Sequence, residues 1–593
     1  MQTDSNLDAL FRPKAVAVIG ASTTPGKIGN IILANLIEAG FDGDIYPVNP
    51  KADKVLALPA LNDAKELPQG VDLAVIVIPP KYVLSTLETL AERSVKAVIV
   101  ITAGFKEVGK DGWFLEQEVI RICKEHQIAL LGPNCLGLIN TANGLNASFA
   151  VGQPAKGNIA FFSQSGALCV SILDWALGHN IGFSKFISLG NKAVLDESDM
   201  LLALSKDKSS KVILGYVEGV EDGKRFINVA REVTKKKPVI LIKSGTTAAG
   251  AKAASSHTGA IAGSNQAYTA AFRQTGVIRA PDVAPLFNLA QAFSTQPLPK
   301  GPNLAIVTNS GGPGILAADA CGNSGLIMAS LSPETVEKLK SFLPPYASLY
   351  NPIDIIGDAD AERYRKSLEI VVQDERVHSV MVLLSPTAAV QVEDTARAVI
   401  DAAKLSDKPI FGCFMGEHTV STGKRMLQNA GIPCYSFPEP AIYSIETMYR
   451  YYEMVNRPAP VEVCYRRHLS KAASIIKAAR DTNETEIVEF QAQGLVQAYE
   501  LPLPKTTLAR TSDDAVKAAD AIGYPVVLKI ASPDISHKSD VGGVRVNLKS
   551  GPDVKAAFID ITSRASRMRK EAHIMGCLVQ AMAPKGAREV LVG

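Results

Sequence analysis

Residues 244–263 read SGTTAAGAKAASSHTGAIAG, and His257 is the one side chain among them that titrates near neutral pH and can serve as a nucleophile. The stretch otherwise holds one ionisable group, Lys252, and one large apolar residue, Ile261, so it cannot build a core. It follows the apolar run PVILIKS and therefore begins at the carboxyl end of a strand, the edge at which open α/β sheets bind ligands. Glu218, in GYVEGVEDG after a strand of its own, is a candidate to accept the second ring N–H and hold one tautomer. Spacing alone leaves the plainer readings open: a loop histidine of no chemical consequence, and an exposed loop acid.

Two further stretches share one design. SQSGAL (163–168) and NSGGPGIL (309–316) each run from a strand through Ser and Gly into a helix, and Pro313 suits a first helical turn. Such turns offer unpaired N–H groups and a positive dipole end to an oxyanion. Ser163, Gln164, Ser165 and Gly166 in the first, and Ser310, Gly311, Gly312 and Gly314 in the second, are the candidate phosphate ligands. Glycine kept for packing is the alternative for either turn taken singly.

GASTTPGKIG (20–29) joins the first strand to the first helix with spacing that departs from GxGxxG, and the second strand ends PVNPK. Lys51 stands where a ribose-binding acid is expected, which suits a phosphorylated ribose better than NAD. A tight turn with no ligand is the alternative. Near the end of the chain, Lys529 lies inside the apolar run PVVLKIAS and must find an anion or reach solvent from an edge strand. His537 follows eight residues later in the polar turn HKSDVGG. The other six histidines sit in no comparable setting.

The elements that must position these groups are legible as apolar runs. KAVAVIG, DIYPVNP, LAVIVIP and AVIVITAG lack polar alternation, as strands buried on both faces of a parallel sheet do. The rhythm restarts at NIAFFSQSGAL, VILGYVEG and PVILIKSG, and again at NLAIVTNSGGPGIL, VMVLLSP and PIFGCF, giving three α/β layers in tandem. QPLPKGP (296–302) and NRPAPVEV (456–463) read as linkers. After about residue 470 a charged helical stretch and two strands around a polar turn predict an α+β unit.

A length of 593 residues predicts about four domains. With 62 basic against 59 acidic residues the balance carries no polyanion-binding signature, so nucleic acid is not an expected partner. Eight scattered cysteines without a CxxC pair fit reduced thiols rather than disulfides or a zinc site. No signal-length apolar stretch opens the chain and no run reaches a membrane span, which predicts a soluble cytoplasmic protein.

GASTTPGKIG, YPVNPK, SQSGAL, YVEGVEDG, SSHTGAIAGS, NSGGPG and HKSDVGGV, in that order, resemble the NDP-forming acyl-CoA synthetases, relatives of succinyl-CoA synthetase. The resemblance covers essentially the whole chain. It implies a Rossmann-like CoA-binding domain (1–140), two flavodoxin-like ligase domains (141–297 and 298–460) and an ATP-grasp domain (470–593). It implies the reaction acyl-CoA + phosphate + ADP ⇌ carboxylic acid + CoA + ATP, through acyl phosphate and phosphohistidine, with acetate or another short acid. His257 matches the phosphorylated histidine, Glu218 its orienting acid, and the two Ser/Gly turns the helix ends that hold the phosphoryl group. CoA is expected on Gly20, Ser22, Pro25, Lys27, Asn49, Lys51, Pro79, Thr102 and Ala103. The nucleotide is expected on Lys529 and Glu589, with His537 as a second relay histidine and Mg2+ as co-ion. The chain stops at EVLVG, so the ATP-grasp part is expected to be incomplete and its Mg2+ ligands to lie beyond residue 593. A homodimer is the implied assembly. A synthetase-like protein acyltransferase body or a CoA-binding regulatory module is the alternative, and a nicotinamide dehydrogenase lacks its ribose acid. The physical logic is that of a carrier: CoA and nucleotide on different domains cannot share one transition state. A twenty-residue loop spans up to ~66 Å extended and swings roughly half of that.

Overall fold

The computed structural model describes residues 4–179, 181–258, 264–458, 467–482, 487, 489–584 and 586–588. It forms two units, Met1–Arg457 and Pro458–Gly593.

The first unit opens with five parallel strands ordered 44–48, 15–19, 73–76, 97–100, 129–131. Four of them (Ala15–Ile19, Leu73–Ile76, Ala97–Val100, Ala129–Leu131) are buried along their whole length, which is why their sequences show no polar alternation. The order reverses between 15–19 and 73–76, so a crevice opens beyond their carboxyl ends. A parallel bridge from Val48 to Leu61 carries the order one position further on the other side, completing a Rossmann-like arrangement.

The second sheet runs 278–279, 239–243, 212–217, 156–163, 183–188, 137–140, 145–148. Its first five strands are parallel; the hairpin Gly137–Asn140/Leu145–Ser148 adds antiparallel to Phe183–Ser188. The hairpin also ties the two sheets together, because Asn35, on the helix Ile28–Glu38, donates from Nδ2 to the carbonyls of Ser148 and Ala150, each at 2.9 Å. FSKFIS (183–188) escaped the apolar-run reading because it carries Ser184, Lys185 and Ser188, yet all six residues are buried. Lys185 is compensated there by Asp207 at 2.6 Å and by Ser209.

The third sheet is all parallel, in the order 327–328, 303–308, 379–384, 410–414, 434–435, with Ile353–Asp354 also pairing to Asn303–Thr308. Helices Val283–Thr295 and Pro438–Asn456 join it to the second sheet through one apolar core that includes Phe287, Phe293, Ile442, Ile445 and Met448.

The second unit holds an antiparallel sheet ordered 506–509, 576–581, 526–531, 544–548, with helices Ser512–Ile522 and Gly551–Met568 packed over its apolar core. The described cysteines are unpaired and buried, and burial pushes Cys123, Cys135, Cys169 and Cys577 up to about 12. Among the described residues no helix is long and apolar enough to cross a membrane.

Candidate active site

The nine residues expected around CoA gather at the carboxyl edge of the first sheet, on the loops that leave strands 15–19, 44–48, 73–76 and 97–100. Gly20 must be glycine: its φ is +94° and a Cβ would stand 2.5 Å from the Val77 carbonyl oxygen. The loop beyond it is braced from both sides, since Asn49 donates to the Ala21 carbonyl at 2.6 Å and Asn30 to that of Ser22 at 2.8 Å. Asn49 Oδ1 accepts the Lys51 N–H at 2.8 Å, and Lys51 is exposed. Pro79 opens a short 3-10 turn, and Thr102 donates to the Ile78 carbonyl at 2.7 Å, which joins the third and fourth loops. Glu107 then accepts the Gly104 and Phe105 N–H groups at 2.6 and 3.1 Å, closing the loop that carries Ala103.

The two Ser/Gly turns are built alike. Ser163 Oγ donates to the Ser165 carbonyl and accepts the Ser165 N–H, both at 3.0 Å. Thr308 Oγ1 does the same to Ser310, at 3.0 and 3.1 Å. Each hydroxyl thus turns the chain so that the next helix, Gly166–Gly178 or Gly311–Gly322, starts at the sheet's carboxyl edge. Among the described residues nothing accepts from the N–H groups of Gly166, Ala167, Gly311 or Gly312. Four donors and two dipole ends are therefore presented to an anion.

Gln164 connects the first turn to Glu218. Its Oε1 accepts the Glu218 and Gly219 N–H groups at 2.8 and 3.0 Å, and its Nε2 donates to the Gly219 carbonyl at 2.9 Å and to Glu197 at 3.0 Å. The Glu218 carboxylate itself receives no hydrogen bond from the described residues and is half-buried. Val217 pairs in register with Lys243, so the chain leaves the sheet at Glu218 and at Ser244 side by side. The segment bearing His257 starts from this second exit.

That segment differs from the flexible loop its composition predicts. Ala248–Thr258 is a helix, capped by Thr247, whose Oγ1 accepts the Gly250 N–H at 3.1 Å. Alanine is the best helix former, and five of the eleven positions are alanine. His257 sits in the last turn of this helix; its side chain and residues 259–263 lie outside the described residues. As a helix the eleven residues span ~16 Å rather than the ~36 Å of an extended chain.

In the second unit Lys529 is not on an edge: Val526–Ala531 lies between two other strands. Its ammonium bonds Glu489 at 3.0 Å, and Lys538 bonds the other carboxylate oxygen at 3.0 Å. Burial raises the Glu489 carboxyl, but the two lysines outweigh it and hold it below the usual range. Glu489 and Lys538 line a cavity of about 180 Å³ together with Ser532, Ser536, Ile530 and Leu578. His537 is exposed at the start of the following 3-10 turn, and Glu589 lies outside the described residues. Among the described residues no three His, Cys, Asp or Glu side chains gather to hold a metal ion.

Sequence reasoning missed Lys192, Glu197, Lys243, Glu489 and Lys538. Each is a charged residue with at least one partner twenty-five or more residues away; a lysine or acid inside an apolar element, as Lys243 is in VILIK, is the one signal that could have flagged them.

Four family models match consecutive parts of the chain: a CoA binding domain over 14–141, a succinyl-CoA ligase like flavodoxin domain over 156–293, a ligase-CoA domain over 304–457 and an ATP-grasp domain over 478–593. The acetate–CoA ligase (ADP-forming) I of Archaeoglobus fulgidus is 44% identical over 99% of this chain and 84% of its own length. The chain belongs to the NDP-forming acyl-CoA synthetase family. Another member, the 4-hydroxybutyrate–CoA ligase (ADP-forming) of Nitrosopumilus maritimus, is 40% identical over 98% of this chain and 84% of its own. Among solved members, acetyl-coenzyme A synthetase 1 of Ca. Korarchaeum cryptofilum, in complex with phosphate and ADP, superposes with a TM-score of 0.73. It is 38% identical and covers 76% of this chain and 97% of its own. The family fold, an α/β body of CoA-binding and ligase domains with an ATP-grasp part, is the one described above.

Proposed function

We propose that this synthetase interconverts acyl-CoA, phosphate and ADP with carboxylic acid, CoA and ATP by way of a phosphorylated His257. A phosphate oxygen attacks the thioester carbonyl, the C–S bond breaks, and CoA leaves as thiol with the proton released by phosphate. An imidazole nitrogen of His257 then attacks the phosphorus of the acyl phosphate, and the carboxylate leaves. Finally the terminal phosphate oxygen of ADP takes the phosphoryl group and the P–N bond breaks. Beyond the nucleophilic nitrogen of His257, these steps ask the protein for positioning and charge compensation.

One observation carries the reading: the free N–H groups at Gly166 and Ala167 and the Glu218 turn are fastened together by Gln164. An anion cradle and an acid able to orient an imidazole thus stand on one rigid frame, beside the point where the His257 segment leaves the sheet. Gly311, Gly312 and Gly314, with Ser310, are the second cradle. The loops at Gly20–Lys27, Asn49–Lys51, Pro79 and Thr102–Ala103 take CoA, with Lys51 on a phosphate. Lys529 takes the nucleotide phosphates, His537 relays the phosphoryl group, and Glu589 belongs to the same nucleotide site. Mg2+ is the expected co-ion, held chiefly by substrate phosphates as that ion commonly is. A short acid such as acetate, a homodimer and a cytoplasmic setting complete the proposal.

The test is to incubate the protein with acetyl-CoA and labelled phosphate. Acid-labile, base-stable label on the protein, absent from His257→Ala, is expected. Label undiminished in that variant would overturn the assignment.

A further inference from the structure

The turn that carries Glu218 is held at both backbone polar groups of Glu218 and of Gly219, and at the Val220 N–H, by side chains from other elements. Gln164 takes the Glu218 and Gly219 N–H groups. The Gly219 carbonyl accepts from Gln164 and from Lys192 Nζ, the latter at 2.8 Å. The Glu218 carbonyl accepts from Lys243 Nζ at 2.8 Å, and the Tyr268 hydroxyl accepts the Val220 N–H at 2.8 Å. Beneath these lies Glu197, 1% exposed, which receives Lys192 at 3.1 Å and Gln164 at 3.0 Å.

Lys192 is the odd member of this frame. It has a φ of +57°, a conformation that costs a non-glycine residue about 1 kcal/mol or more. Its ion pair with Glu197 is nearly buried, an arrangement that contributes little to stability relative to apolar packing. A strained backbone and a buried charge pair are retained where the ammonium has to stand at one point. That point is the Gly219 carbonyl, one residue from Glu218. The neighbouring residue faces the other way: Asn191 donates to Glu107 at 2.6 Å and to Glu116 at 2.9 Å, and Glu107 caps the loop that carries Thr102 and Ala103. Consecutive side chains therefore tie the CoA edge of the first sheet to the acid of the second.

Building on the role proposed above for Glu218, we infer that Lys192 is a positioning residue for phosphorylation: with Glu197 and Gln164 as anchors, it fixes the Glu218 carboxylate relative to the thioester edge. It touches no substrate and acts only through the 218–220 turn.

The experiment is a cycle on the whole chain with Lys192→Met, Glu218→Gln and the two combined, scored by the single-turnover rate of His257 labelling and by CoA affinity. Lys192→Met should slow labelling about ten-fold or more while CoA affinity stays within about two-fold. The combined variant should be no slower than Glu218→Gln alone, because one residue works through the other. Lys192→Arg, which keeps the charge, should recover part of the rate. Lys192→Met leaves Glu197 unpaired and can unfold the site, so Lys192→Met/Glu197→Gln is measured beside it; stability should return there without the rate. Additive losses in the cycle, or full rate in that charge-free pair, would overturn the inference. Full rate in Glu218→Gln would instead overturn the reading of Glu218 on which it rests.

Discussion

Gln164 and Asn309 occupy one position in two sheets: each stands between a strand-end hydroxyl and a helix cap, and each amide holds the backbone that follows the neighbouring strand. Asn309 donates to the Ser385 carbonyl and accepts the Ser385 N–H, both at 2.9 Å, as Gln164 does with Gly219 and Glu218. The device is the same, but only the first holds an acid. Gln164→Leu leaves the Glu218 and Gly219 N–H groups without their partner, each costing on the order of 1–3 kcal/mol where water cannot reach, and takes one of two donors from the Gly219 carbonyl. Lower denaturation midpoints are expected for Gln164→Leu and for Asn309→Leu alike. Phosphohistidine labelling, measured under conditions where both variants stay folded, should fall further in Gln164→Leu, which also releases Glu218. Equal losses of label would show that the two frames serve stability alone.

Lys51 gives a prediction about ligand choice. Its backbone N–H is held by Asn49, and the residue is exposed just past the carboxyl end of strand 44–48, on one of the loops proposed for CoA. If it meets the ribose phosphate, Lys51→Ala should weaken CoA by about ten-fold and leave dephospho-CoA nearly unchanged, since a charge-assisted bond contributes about 1.5–3 kcal/mol only when its anion is present. Calorimetric titration of both ligands reads this directly. A similar loss for the two would move the phosphate elsewhere.

These two frames also show what the sequence made legible. Runs such as AVAVI and VILIK betray buried parallel strands because nothing polar interrupts them, and the Ser/Gly turns betray helix starts because few residues can make them. FSKFIS was hidden by a buried lysine, whose partner Asp207 arrives from twenty-two residues away. The supporting groups of the site were hidden for the same reason. Lys192 meets Gly219, and Gln164 meets Glu197, across sequence gaps that no periodicity marks. Composition also misled at 248–258, where small residues suggested freedom and the alanines among them formed a helix instead.

Asp207 makes the acid limb of stability testable. Burial pushes its carboxyl up, but Lys185, Ser210 and Ser209 outweigh this and hold it well below the usual carboxylate range. A group with a depressed folded pKa adds stability that is present above its unfolded value, near 4, and lost as pH falls toward the folded one. Stability of the first unit should therefore decline below about pH 4. Asp207→Asn should flatten that decline and cost on the order of 3–5 kcal/mol at neutral pH, because Lys185 is left charged and unpaired. Replacing both, as Lys185→Met/Asp207→Leu, should recover much of the loss. Denaturant titrations at a series of pH values check all three; an unchanged acid limb in Asp207→Asn would remove the group from the account.

Glu489 competes for the lysine assigned to the nucleotide. Both of its oxygens are engaged, one by Lys529 and one by Lys538, and Glu489 and Lys538 line a cavity of about 180 Å³. Phosphate oxygens entering there must take those ammonium groups from the carboxylate, and the carboxylate repels them as they approach. Removing the acid without its volume, in Glu489→Gln, should therefore strengthen ADP binding several-fold, and most at low salt, where charge repulsion is least screened. Lys529→Met should act in the opposite direction and weaken ADP by about ten-fold or more, the worth of one charge-assisted bond. Fluorescent or calorimetric ADP titrations at two salt concentrations separate these effects. If Glu489→Gln weakened ADP as much as Lys529→Met does, the carboxylate would be part of the nucleotide's own binding set, and the pair seen here would be its support rather than its rival.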